Sequence, residues 1–117
     1  MEIEKIIEIL EAELLTDISF SMKEIDKCGS SDLMSDILAG QSEKSLLITG
    51  LLTIQAIRTA IIAGIGGVVF VRGKKPEQEI LDMANDAKIP LICTRLSMFV
   101  SSGRLYKAGM TGLDEKR

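Results

Sequence analysis

The chain has 117 residues, 46% of them apolar, enough for one domain whose core needs no metal or disulfide. A net charge of −3 argues against a general nucleic-acid or membrane-surface binder, and aromatics at 3% are too few for a base-stacking platform. Cys28 and Cys93 fit neither a disulfide framework nor a zinc site, and no basic-then-apolar leader opens the chain, so a cytoplasmic setting is the expectation.

Residues 3–15 place Ile3, Ile6, Ile7 and Leu10 on one face and Glu2, Glu4, Glu8 and Glu11 elsewhere. This predicts an amphipathic helix with acid toward its N-terminal end, where the helix dipole favours it. Leu14 and Leu15 belong either to its last turn or to the chain leading out. In Asp17–Cys28, Ile18, Phe20 and Met22 alternate with Ser19, Ser21 and Lys23, which suggests a half-buried strand at the sheet edge. Gly29-Ser30-Ser31 follows as a turn, with a serine placed to cap a helix over Asp32–Ala39 and Gly40 to end it.

The centre of the chain is LLITGLLTIQAIRTAIIAGIGGVVFVRGKKP, residues 46–76. Two apolar runs, Leu46–Ile48 and Val68–Val71, flank a stretch in which Ile54, Ile57, Ile61 and Ile62 recur at helical spacing. Strand, helix and strand in this order form a βαβ unit, so the strands should be parallel. Neither alternates polar with apolar, so both should be covered on both faces. Residues 46–71 are long enough to raise a membrane span, but Gly50, Thr53, Gln55, Arg58 and Gly64 interrupt them and the period changes midway. The stretch reads as soluble core.

Pro76 then fits the first position of another helix, with Glu77 and Glu79 in its first turn and Lys75 at the N-cap. A third apolar strand, Leu91–Cys93, and a last helix over Ser97–Ala108 follow, with Gly109 as the stop and 110–117 as a frayed polar tail. The pattern predicts a single α/β domain over 1–117. It has a mostly parallel sheet of about four strands, with helices on both faces.

In such sheets ligands collect beyond the carboxyl ends of the strands. Those ends offer Thr49 and Gly50, then Arg72, Gly73, Lys74 and Lys75, then Thr94 and Ser97. The Arg72–Lys75 turn precedes a helix N-terminus, where open N–H groups would take an anion and the lysines would steer it in. Glu77 and Glu79 oppose this by filling part of the dipole. Arg58 is the only charge within helix 53–63 and reads as a cation reaching solvent or a carboxylate, or else a ligand or partner subunit. Asp32 and Asp36 share a helix face four residues apart. A metal pair is conceivable there, although a capping or dipole contact of Asp32 is simpler. No metal or cofactor is expected. Catalytic material is thin. There is no histidine, and G-x-S-x-G, P-loop, HExxH and C-x-x-C motifs are absent. Gly64-Ile65-Gly66-Gly67 lies before a strand, on the wrong side for a phosphate loop.

The run ITGLLTIQAIRTAIIAGIGGVVFVRGKKP, with IPLICT and SMFVSSGRLYKAG after it, resembles the small stand-alone DRTGG-domain proteins over most of the chain, clearest at 31–112. The domain is also similar to the N-terminal domain of HPr kinase/phosphorylase, and relatives carry it beside phosphotransacetylase or between the CBS domains of certain pyrophosphatases. The resemblance implies an accessory, regulatory module, often at a dimer interface, and no catalytic part. The sequence departs from the name-giving motif, reading Thr49-Gly50-Leu51-Leu52 and Val71-Arg72-Gly73-Lys74 at the two places, so that only Gly73 matches. The expectation is therefore a non-enzymatic homodimer that binds an anionic small molecule, a nucleotide or phosphorylated metabolite. The alternative is a docking module for a metabolic enzyme, with Phe99, Leu105 and Tyr106 as anchors.

Overall fold

The computed structural model describes residues 1–33, 35 and 44–113. The central βαβ unit forms as its pattern dictates. Strand β3 (Ser45–Thr49) is buried along its whole length, helix α2 (Ile54–Ala63) follows, and β4 (Gly67–Phe70) lies parallel to β3, pairing Leu47 with Val68. Thr53 caps α2 by accepting from the Ala56 N–H at 3.1 Å, and Gly64 ends it in the left-handed conformation, φ 71°. Helix α3 (Gln78–Asp86) leads to β5 (Leu91–Cys93), parallel to β4. Helix α4 (Met98–Lys107) has Ser97 as its cap, accepting from the Val100 N–H at 3.2 Å.

The earlier part of the chain supplies α1 (Ile3–Ile9), β1 (Glu13–Leu14), a short 3₁₀ turn (Ile18–Met22) and β2 (Lys27–Ser30). A last strand, β6, is Thr111–Gly112. The sheet runs β1-β5-β4-β3-β2-β6, with β1 alone antiparallel. Side chains on successive strand residues point to opposite faces, and two cores result. Leu46, Ile48, Val69 and Ile92 meet Ile3, Ile6 and Leu10 of the α1 segment and Leu105 of α4. Leu47, Val68, Phe70 and Leu91 meet Ile57 and Ala60 of α2 and Ile80 and Ala84 of α3. Helices thus cover both faces, as the unbroken apolar strands required. No helix among the described residues is long and apolar enough to cross a membrane.

Several boundaries differ from the sequence reading. Ile18–Met22 is not a strand. Asp17 accepts from the Ser19 N–H at 2.8 Å and its carbonyl from the Phe20 N–H at 3.1 Å, so local capping wins over alternation. Ile18 and Met22 are left exposed. The strand lies later, and it takes in Gly29 and Ser30, which the sequence suggested as a turn. It is also interior, between β3 and β6. The first helix stops at Ile9, and Glu11 turns left-handed at φ 51° to send Leu14 into the sheet. Helix α3 starts at Gln78 with Glu77 as N-cap, so Lys75 lies ahead of the cap. Met110 is buried and Thr111 and Gly112 pair with β2, so the chain's polar tail does not begin at 110. Of the helix expected over Asp32–Ala39, Asp32 and Leu33 are described and are not helical; most of the rest, its stop at Gly40 and most of loop 41–45 lie outside the described residues.

Candidate functional site

The carboxyl ends of the parallel strands offer two distinct places. The first lies over β3. Thr49 is buried and its hydroxyl donates to Asp32 Oδ1 at 3.0 Å, while the Gly50 N–H donates to the same oxygen at 2.7 Å. Asp32 therefore ties the chain leaving β2 to the end of β3. Asp36 lies outside the described residues. Arg72 Nη2 comes within 3.2 Å of where a Cβ on Gly50 would stand, so the guanidinium lies close over this strand end. An anion expected at the Gly50 N–H would find the chain's own carboxylate in place.

The second place is a cleft of about 460 Å³ at the end of β5, lined by Glu11, Ala12, Glu13, Gly73, Lys75, Cys93 and Arg95. A neighbouring hollow of about 310 Å³ shares Glu11 and Arg95 and adds Leu10, Thr94 and Leu96. The main cleft is in the size range of small-molecule sites, roughly 300–1,000 Å³. Two loops build it. The turn after β4 runs through Arg72 and Gly73, both left-handed at φ 60° and 72°. It is fastened to the loop after β5, since the Arg72 N–H donates to Leu96 O at 2.9 Å and the Gly73 N–H to Thr94 O at 2.7 Å. The Lys74 N–H donates to Val71 O at 3.3 Å. The N–H groups of Arg72, Gly73 and Lys74 are thus committed within the protein, whereas Glu77, the N-cap of α3, makes no side-chain hydrogen bond to the helix start.

Lys75 pairs with Glu13 across the cleft mouth, and this hydrogen bond and charge raise the lysine's pKa above its ordinary value. Glu11 is held by Arg104 Nη1 at 2.9 Å, which also donates to Ile9 O. Arg95 is exposed and forms no ion pair among the described residues. Cys93 forms part of the wall. Desolvation chiefly raises its pKa, against the opposing effect of Lys75, so the thiol keeps its proton and donates to Lys74 O at 3.2 Å.

Of the residues singled out in the sequence, Gly73 and Lys75 line the cleft. Thr94 lines the adjoining hollow, but its buried hydroxyl donates to Leu10 O at 2.7 Å and accepts from the Leu96 N–H, a structural commitment. Lys74 is exposed on the turn, Ser97 caps α4, and Thr49, Gly50 and Arg72 belong to the β3 end. Arg58 is exposed on α2 with no ion pair among the described residues. Sequence reasoning missed Glu11 and Glu13; Arg95 stands in the Thr94–Ser97 strand end that the sequence placed at the rim, without being singled out as a ligand contact. Glu11 and Glu13 were hidden inside an assumed continuous helix. Among the described residues no cluster of potential metal ligands occurs.

No family model and no curated protein matches the sequence. A solved structure does match in shape: the CBS and DRTGG domains of the regulatory region of Clostridium perfringens pyrophosphatase, complexed with the activator diadenosine tetraphosphate. The TM-score is 0.72 over 98% of this chain, at 18% identity. The fold is shared with a pyrophosphatase regulatory region. That agrees with the DRTGG resemblance in the sequence. At this identity the likeness is one of fold, and the chain spans 55% of the matched structure.

Proposed function

We propose that this protein is a non-catalytic regulatory domain that binds an anionic small molecule, a nucleotide or phosphorylated metabolite, in the cleft at the end of β5. The observation that carries the reading is the placement of Lys75 and Arg95 on the walls of one cleft of about 460 Å³, on loops tied together by backbone hydrogen bonds. Lys75 and Arg95 supply the positive charge for an anion, the nearby Glu13 and Glu11 being paired with Lys75 and Arg104, and fixed walls lower the ordering cost of binding. The nucleotide activator of the pyrophosphatase regulatory region supports a ligand of this class. The site differs from the one the sequence suggested. It uses side chains in place of backbone N–H groups, and it excludes Thr49 and Gly50.

The test is a thermal-shift screen against nucleotides, phosphorylated metabolites and carboxylates at low and moderate salt. A ligand at about a hundred times its dissociation constant adds about 2.7 kcal/mol, a rise on the order of 10 °C for a domain of this size. The rise should shrink with salt and vanish in Lys75→Glu/Arg95→Glu, while Lys74→Glu alone leaves most of it. A flat screen, or a rise that persists in the double variant, overturns the cleft as the site.

A second reading, docking on a metabolic enzyme or on a second copy, draws on Phe99 and Tyr106, which are 86% and 62% exposed on α4. Leu105 is buried in the core and is not an anchor. Phe99→Ser should then dissolve a complex seen by light scattering without changing any ligand response.

A further inference from the structure

We infer that the ligand of this cleft is a phosphorylated polyol, whose phosphate meets Lys75 and Arg95 and whose neighbouring hydroxyls donate to Glu13 and Glu11. The inference rests on the anion-site reading and narrows it. A site for a bare anion has no use for carboxylates, yet Glu11 and Glu13 line the same cleft as the two cations. An ionised carboxylate only accepts hydrogen bonds, so this side of the cleft calls for donors on the ligand.

Those donors should be neutral. Glu13 already has the Lys75 ammonium and Glu11 the Arg104 guanidinium, so their charge is largely compensated while lone pairs remain free. A ligand ammonium would gain little there, whereas hydroxyls would form charge-assisted hydrogen bonds. No other side chain in the cleft could perform this role, because the Cys93 thiol is engaged with Lys74 O. The remaining walls, Ala12 and Gly73, offer no aromatic surface on which a base could stack. The chemistry read by the cleft is therefore a phosphate with nearby hydroxyls. A free sugar phosphate supplies it, and so does the ribose phosphate of a nucleotide.

The experiment is calorimetric titration of the full chain at low salt with inorganic phosphate, ribose 5-phosphate, 2-deoxyribose 5-phosphate and AMP. Ribose 5-phosphate should bind at least about tenfold tighter than inorganic phosphate, with the deoxy sugar between them, the gain of one or two charge-assisted hydrogen bonds. In Glu13→Ala that preference should fall by about tenfold while inorganic phosphate binds no worse. Glu13→Gln, which keeps the side-chain size, should lose preference in the same direction. AMP binding as well as ribose 5-phosphate or better assigns a nucleotide, and weaker AMP binding assigns a free sugar phosphate; both uphold the polyol. Equal affinity for inorganic phosphate and ribose 5-phosphate, or a preference untouched by both Glu13 variants and Glu11→Ala, overturns the inference and leaves the anion site standing. Failure of every phosphate compound to bind removes the anion site itself, and the inference with it.

Discussion

Arg72 shows how a single residue can carry strain for the sake of position. At φ 60° it occupies a region that costs a non-glycine residue about 1 kcal/mol, and its N–H bond to Leu96 O holds it there. The outcome is a guanidinium over the β3 end and a turn that delivers Gly73 and Lys75 to the cleft. Cys28 shows a different effect of environment. It packs against the core beside β6, and burial pushes its thiol up to about 12. Since the folded pKa lies above the ordinary value of 9.0, this group's contribution to stability is intact below about pH 9 and is lost as pH rises toward 12. Urea unfolding between pH 8 and 11 should show the wild type losing stability more steeply than Cys28→Ala, by up to about 1.4 kcal/mol per pH unit above 9. Parallel profiles would mean that Cys28 titrates alike in both states.

At the level of elements, the two-residue strands matter more than their length suggests. β6 brings the chain back beside β2 after α4 has crossed the sheet, and Met110, just before it, is 4% exposed within the α1–α4 core. Met110→Ala should cost about 2–4 kcal/mol in chemical unfolding, as buried large-to-small changes do. A loss below about 1 kcal/mol would place the C-terminal strand outside the cooperative unit. Central elements were legible in the sequence because long apolar runs and helical spacing leave little choice between periods. Leu91–Cys93 and the helix read over 53–63 are found where the pattern puts them, to within a residue. Ile18–Met22 failed because alternation reports a strand only where a core lies behind it, and Ile18 has none.

For the whole molecule, the α/β class and the helix-covered sheet followed from the order of elements, but the strand order did not. Nothing local in Thr111-Gly112 announces a strand, and the place of β2 inside the sheet depends on that late return. The site was half legible for a similar reason. Gly73 and Lys75 sit just past β4, where the fold class places ligands, whereas Glu13 reaches Lys75 only through the antiparallel pairing of β1 with β5. Such a contact between distant parts of the chain is visible only once the sheet exists.

Both rims of the described sheet are two-residue strands, Glu13–Leu14 and Thr111–Gly112, and one of them carries a charged side chain. Long open rims invite another chain to continue the ladder, and short charged ones deny it a template. The rim strand expected from the alternation of Ile18, Phe20 and Met22 does not form. Self-association of this protein should therefore proceed through side-chain surfaces such as the Phe99 face of α4. Concentrating it should leave its strand signal in circular dichroism unchanged and seed no fibrils.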